Sequence, residues 1–239
     1  MAGTSRRWTV VDTLRWHRPG YKAFGYSPTS YRTTAMWAKW VLDVSVASVG
    51  MLLLFPLLVV FAILIKIDSP GPALFKQTRI GKDGKPFTMY KFRSMYCASD
   101  DTIHQEFVRS LFSDCGHGNE VAVYKVADDE RITRLGAFLR KSSLDELPQL
   151  INVLKGEMSL VGPRPDLPYS VELYEPRHLQ RLSVLPGITG LWQVSGRSTK
   201  SLLEMLELDI DYVNNWSLWL DIKILVRTVI VVFTGQGAS

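Results

Sequence analysis

The sequence predicts an α+β fold, predominantly helical, held at a membrane by one hydrophobic element. Three observations carry this. Val44 to Ile65 is a run of 22 residues without a charge, long enough to cross a bilayer. Two segments, 73–80 and 86–92, flank Lys82-Asp83-Gly84-Lys85, and an Asp-Gly turn between such segments signals a β-hairpin. Most of the chain beyond the second segment places apolar residues at helical rather than alternating spacing.

Taken in order, residues 1–35 are polar and basic, with Trp8, Trp16, Pro19-Gly20 and Tyr26-Ser27-Pro28. They read as a surface-lying extension, not a domain. The segment 36–67 contains the hydrophobic run. It starts too far into the chain, and lacks a small-residue cleavage site after it, to be a secretory signal. Pro56 lies inside it, where a proline removes a backbone donor and clashes with the preceding turn. The flanks are equally basic: seven Lys or Arg against two Asp from Met1 to Asp43, and seven against two from Lys66 to Tyr96. A spanning helix carries such an excess on its cytoplasmic side only. Two readings stay open, a kinked span and a helix that enters, breaks near Pro56 and returns.

Residues 68–239 read as one folded domain. Ser69-Pro70-Gly71-Pro72 is a breaker ahead of the hairpin. Asp100-Asp101 opens a short helix with Ile103, Phe107, Val108 and Leu111 on one face; Cys115 to Asn119 is a loop, and Val121 to Val126 a strand. Ile132 to Arg140 reads as a helix. In the next one, Ser143 and Glu146 have the spacing of a capping box, while Pro148 fits best in a first turn. This places Asp145 at or just before the cap and the helix from about Glu146 to Lys155, with Leu147, Leu150, Ile151 and Leu154 facing the core. Gly156 ends it. Gly162-Pro163-Arg164-Pro165 is a tight, rigid turn. Pro186 to Arg197 is a glycine-punctuated loop whose backbone can approach a ligand closely. Leu202 to Asn214 is an acidic helix. Trp216 to Phe233 combines Trp216, Trp219 and Leu220 with Asp221, Lys223 and Arg227, a pattern that suits an interfacial helix or a buried one.

The 28 basic and 23 acidic residues leave a net charge of +5, too mild and too local for a nucleic-acid binder but suited to anionic lipid headgroups on either side of the hydrophobic run. Two cysteines, Cys97 and Cys115, set no disulfide framework, which points to a reducing compartment. His117 near Cys115 falls far short of a zinc signature. No Walker loop, dinucleotide fingerprint, Gly-x-Ser-x-Gly or His-Glu-x-x-His is present. Phosphate chemistry would therefore rest on carboxylate, metal and arginine. Asp145 and Glu146, adjacent at a helix start, and Arg164 on its fixed turn fit that description. An acidic pair at a helix start also serves the helix dipole alone, and at this level both readings stand.

The ordered motifs decide between them. Lys39-x-x-x-Asp43, Gln77-x-Arg79-x-Gly81, Tyr90-Lys91-Phe92-Arg93-Ser94-Met95, Arg140, Ser143-Leu144-Asp145-Glu146-Leu147, Asn152 to Gly156, Met158 to Pro165, Pro186 to Gly190, Gln193 and Gly196-Arg197 succeed one another from Lys39 onward. With them, the stretch from about Lys39 to Phe233 resembles the bacterial sugar transferase family, the monotopic polyprenyl-phosphate phosphoglycosyl transferases, in their small catalytic-unit form. The resemblance implies transfer of a sugar-1-phosphate from a UDP-sugar to undecaprenyl phosphate through a phosphosugar on Asp145, with UMP released. Glu146, together with Asp145, is implied as the Mg²⁺ ligand. Arg164 and Arg197 are implied as phosphate contacts, with Lys91, Arg140 and Gln193 as further site residues. It also implies a re-entrant helix broken at Pro56, although the family's Ser-Pro pair is Phe55-Pro56 here. The hairpin and amphipathic interfacial helices would pack around a compact cytoplasmic catalytic domain on a bacterial inner membrane. Membrane lipids, downstream glycosyltransferases and a second copy of the chain are the partners this suggests; nucleic acid is not among them. The alternative is a non-catalytic, membrane-anchored binder of nucleotide or lipid phosphate on the same scaffold, against which the joint presence of Asp145, Glu146, Arg164 and Arg197 argues.

Overall fold

A computed structural model describes residues 30–96, 106, 110, 131–196 and 200–234. Residues 1–29, Cys97, the loop expected over 115–119, the strand expected over 121–126, and Arg197 lie outside the described residues. Of the helix expected after Asp100, Glu106 and Ser110 are described, and both are helical.

The fold is mostly helical, with two small sheets among the described residues. It opens with α1, Ser30–Asp68, 39 residues long. This is the one described helix long and apolar enough to cross a membrane. Where a break is expected at Pro56, the helical assignment runs on through the proline; the proline nonetheless leaves one backbone bond unmade there. Around it Leu52 and Leu53 are 76% and 72% exposed, and Phe55, Val59 and Val60 are exposed as well. The two ends of α1, by contrast, are fastened to the rest of the protein. Near the start, Lys39 Nζ donates to Asp221 at 2.7 Å and to the Val161 carbonyl at 3.0 Å, and Asp43 accepts the Leu160 N–H at 3.1 Å. Near the finish, Arg93 donates to the Ile65 carbonyl at 3.1 Å and to the Ser69 carbonyl at 2.6 Å.

After α1 comes the expected hairpin. Strands β1, Leu74–Ile80, and β2, Pro86–Phe92, pair antiparallel with Leu74 opposite Phe92 and Ile80 opposite Pro86. Asp83 and Gly84 turn the corner at φ of 57° and 73°, the left-handed region that aspartate and glycine tolerate. Helix α2, Arg134–Lys141, is capped by the Thr133 side chain on the Gly136 N–H. Gly136 is required there, because a Cβ would lie 2.0 Å from the Ser94 carbonyl oxygen.

The next segment departs from expectation. Leu144–Gln149 forms a 3₁₀ turn, and only Leu150–Leu154, α3, is α-helical. Ser143 sits at φ 57° with no side-chain cap bond, so the capping box is not made. Pro148, lacking an N–H, suits the tighter turn. The buried face changes in part: Leu150 is buried as expected, but Leu154 is 41% exposed, and Pro148, Gln149, Asn152 and Val153 are buried. Gly156, at φ 73°, ends the element as expected.

Two short strands are unexpected, one just before the Pro-Arg-Pro turn and one inside the glycine-punctuated loop. β3, Ser159–Val161, and β4, Gly187–Thr189, pair in parallel, Ser159 with Gly187 and Val161 with Thr189. Three residues give too little alternation for a strand signal. Beyond β3, the single turn α4, Pro168–Val171, leads into 3₁₀ residues His178–Ser183. Helix α5, Leu202–Asn214, has the expected bounds and a full capping box from Ser201 and Glu204. Helix α6, Leu218–Thr234, comes last.

The main core gathers Ala47 of α1, Met89 of β2, Leu150 and Val153 of α3, Leu160 and Val161 of β3, Tyr212 of α5 and Ile224 of α6. A second cluster, Phe61, Ile65, Ala73, Phe92 and Leu139, seats the far end of α1 against the hairpin and α2. At the centre lies Asp221, 1% exposed. It takes the Lys39 ammonium, the Trp216 Nε1–H at 3.1 Å and the Tyr212 hydroxyl at 2.7 Å. A buried carboxylate needs such partners. One side of α6 thus belongs to the core, while Trp219, Val226, Val229 and Ile230 are exposed on it.

Candidate active site

The 3₁₀ turn Leu144–Gln149 presents Asp145 and Glu146 at the meeting point of β2, α2 and the Pro-Arg-Pro turn. The amide of Asn152 in α3 donates to the Thr88 carbonyl at 2.7 Å and accepts the Tyr90 N–H at 3.1 Å. Asn152 thus acts as one more strand partner for β2 and fixes it against α3. Lys91, the next residue, then reaches Glu146 at 3.3 Å. From the other side Arg164 grips the same carboxylate in a fork, Nη2 to Oε1 at 2.6 Å and Nη1 to Oε2 at 3.3 Å. Four of the expected residues, Lys91, Asp145, Glu146 and Arg164, are therefore brought together.

The two carboxylates differ electrostatically. Burial pushes Asp145 up to about 6, the Glu146 charge pushes the same way, and Lys91, Arg164 and Arg140 pull against them. Burial also disfavours the ionised Glu146, but Arg164 and then Lys91 outweigh it and hold that carboxyl well below the usual range. Lys91 is itself pushed down by burial, against the attraction of Glu146. Glu146 is thus held as an anion between two cations, and among the described residues Asp145 beside it has no such ion pair. An ionised, poorly solvated carboxylate is a competent nucleophile.

The remaining expected residues stand further off. Arg140, in the last turn of α2, is exposed and acts on Asp145 through its charge. Gln193 is buried but donates to the Ile188 carbonyl at 3.1 Å, within its own loop rather than to the dyad. Arg197 lies outside the described residues. Beside Arg164 a pocket opens, lined by Arg79, Asp166, Arg181, Trp192 and Met205 among others. Asp166 and Arg181 are not legible as site residues; no local motif marks Arg181, whose partners Asp166, Tyr174 and Asp209 are scattered over positions 166 to 209.

No three His, Cys, Asp or Glu side chains cluster among the described residues. Two adjacent carboxylates, one of them favoured in its ionised form by Arg164 and Lys91, nonetheless fit Mg²⁺, which is commonly held by one or two carboxylates with substrate phosphates supplying further oxygens.

The model of the family described as bacterial sugar transferase matches residues 34–235. The chain belongs to the bacterial sugar transferase family. It is 42% identical over 221 residues to the galactosyl transferase CpsE of Streptococcus agalactiae serotype III (strain NEM316), covering 92% of this chain and 47% of that one. A UDP-glucose:undecaprenyl-phosphate glucose-1-phosphate transferase of Caulobacter vibrioides is 43% identical over 208 residues, 84% of this chain and 71% of that one. The exopolysaccharide production protein ExoY of Rhizobium meliloti is 41% identical over 201 residues, 84% of this chain and 88% of that one. This sugar transferase thus spans under half of the streptococcal relative and most of the rhizobial one. The matched region takes in all but the first four residues of α1, both small sheets and the dyad.

Proposed function

We propose that the protein transfers a sugar-1-phosphate from a UDP-sugar to undecaprenyl phosphate, as the names of its relatives suggest for them. In the first step a carboxylate oxygen of Asp145 attacks the β-phosphorus of the UDP-sugar. The bond from that phosphorus to the bridging oxygen breaks, and UMP leaves with the oxygen. In the second step a phosphate oxygen of the lipid attacks the same phosphorus, and Asp145 departs as carboxylate. The product is undecaprenyl-diphosphate-sugar. The observation that carries this reading is the unequal pair: Asp145, raised to about 6 and ionised at neutral pH, beside Glu146 held between Arg164 and Lys91. Arg164 carries two donors in a fork that matches phosphate as well as carboxylate, so an incoming diphosphate can take the place of Glu146 on it. Glu146 and Asp145 would hold Mg²⁺ with the substrate diphosphate; bound there, the ion offsets the repulsion between an anionic nucleophile and an anionic electrophile.

The membrane arrangement belongs to the same proposal. α1 enters and leaves on one side, with the domain from residue 68 onward at the cytoplasmic face of a bacterial inner membrane. Its two ends are supported on the same folded body, through Lys39 and Asp43 at one and Ile65 and Ser69 at the other. A straight span would separate those ends by about 30 Å of hydrocarbon. The exposed Leu52, Leu53 and Phe55 lie between them, next to Pro56. The test is to incubate the detergent-solubilised protein with undecaprenyl phosphate, Mg²⁺ and a panel of UDP-sugars and to follow UMP. One sugar should release UMP, and Asp145→Asn should not. Silence with every sugar, or full activity in Asp145→Asn, overturns the mechanism. Cysteines placed at the two ends of 44–65 should label from the same side; labelling from opposite sides overturns the re-entrant arrangement.

A further inference from the structure

Arg164 works only if its turn is immobile, and the way that turn is held singles out two other arginines. Pro163 and Pro165 have no N–H to offer, so the turn is anchored mainly by its carbonyls. Four consecutive carbonyls are occupied. That of Pro163 accepts the Gly187 N–H at 2.8 Å, and that of Asp166 accepts the Ile80 N–H at 2.9 Å. Between them, the Arg164 carbonyl accepts Arg181 Nη2 at 2.7 Å and the Pro165 carbonyl accepts Arg79 Nη1 at 3.2 Å. The two middle bonds, nearest the functional side chain, are thus made by guanidinium groups.

Each guanidinium is itself fixed. Arg181, 5% exposed, donates to Asp209 from Nε at 3.0 Å and Nη2 at 2.5 Å, reaches Asp166 at 3.4 Å and bonds the Tyr174 hydroxyl. Arg79 is braced by Gln77, whose Oε1 accepts from Nε at 3.1 Å and from Nη2 at 2.7 Å. Asp209 is buried as deeply as any charged side chain in the fold. A buried ion pair of this kind contributes little net stability. What it does provide is a donor in a fixed place.

We infer that Arg181 and Arg79 are positioning residues of the transfer reaction, holding the backbone of the Pro-Arg-Pro turn so that the Arg164 fork meets its anion. Neither needs to touch substrate. Without Arg181 the Arg164 carbonyl loses its donor and the fork swings relative to Asp145. A displacement of about 1 Å at such a site lowers turnover on the order of a hundredfold.

This inference rests on the transferase reading, and a double-mutant cycle separates the two. Arg181→Gln, Arg164→Ala and the double variant are assayed for UMP release alongside wild type, with thermal midpoints recorded for all. Arg181→Gln should lower kcat at least tenfold. In the Arg164→Ala background the same change should alter kcat by less than threefold, because the fork it positions is gone. Arg181→Lys, which retains a cation against Asp209 but not the fork, should recover stability more fully than turnover. If the two effects multiply, the role is structural alone and the inference fails. Should Arg181→Gln not fold, Arg79→Gln, at a half-exposed strand position, runs the same cycle and decides it. An inactive wild type would instead count against the transferase reading itself.

Discussion

Replacing Asp145 by asparagine should end turnover and make the protein more stable. Asp145 is 9% exposed, and its carboxyl is raised from 3.8 to about 6 by burial first and the Glu146 charge second. The native state therefore holds this proton more tightly than the unfolded chain does. Ionisation opposes folding: not at all well below pH 4, increasingly between 4 and 6, and fully above 6. A rise of about two pKa units, at about 1.4 kcal/mol each, gives about 3 kcal/mol as an upper figure. Asparagine keeps the shape and carries no charge, so about 1–3 kcal/mol should be regained at pH 7.5. In a chain of this size that is a Tm increase on the order of 3–10 °C. The assay is thermal unfolding of both proteins in one detergent, with EDTA and no substrate, at pH 4.5 and 7.5. The gain should be clear at 7.5 and much smaller at 4.5. An asparagine variant no more stable than wild type at pH 7.5, or a gain independent of pH, would refute the claim that burial burdens this carboxylate.

Other consequences are equally measurable. The kcat/KM profile from pH 5 to 8 should fall on its acid side with a midpoint near 6 as Asp145 takes up its proton; a limb centred near 4 contradicts the assignment. Gly162→Ala would set a Cβ 2.5 Å from the Leu185 carbonyl oxygen, parting β3 from β4, and should cost about 1–3 kcal/mol in thermal unfolding. Gly50→Ala, whose nearest contact is 3.7 Å from Leu150, should be neutral or mildly stabilising in the same assay. Asp221→Asn removes the nearer carboxylate of the Lys39 ammonium, leaving it Asp43 at 3.9 Å and the Val161 carbonyl, and should cost about 1–3 kcal/mol; adding Lys39→Met should restore part of it.

What the sequence discloses is what short stretches determine. The hairpin is legible because Asp83 and Gly84 both accept left-handed backbone, and α5 because its apolar residues keep helical spacing for 13 residues. Its capping box, Ser201 with Glu204, is equally readable from the letters. The same pattern misleads at Ser143 and Glu146, where Pro148 favours a 3₁₀ turn and Glu146 is drawn away to Arg164 and Lys91. β3 and β4 escape notice because a parallel pair of three residues each is specified by its partner, not by its own alternation. In the site, Asp145, Glu146 and Arg164 announce themselves as a dyad and a rigid turn. Lys91 sits with Phe87 and Met89 on one face of β2, and a lysine among apolar residues is a readable anomaly. Arg181 offers no such sign, since its meaning comes from Asp209 and from the Arg164 backbone.

The Lys39–Asp221 pair joins positions 182 apart in the chain. A ribosome delivers α1 long before α6 exists. The membrane helix must therefore reach its lipid environment while Lys39 lacks the nearer of its two carboxylates and has Asp43, one turn on, as its counter-charge. Assembly waits until α6 arrives with Asp221 and closes the longest-range polar contact among the described residues, so translation arrested short of that residue should leave a chain inserted but not assembled.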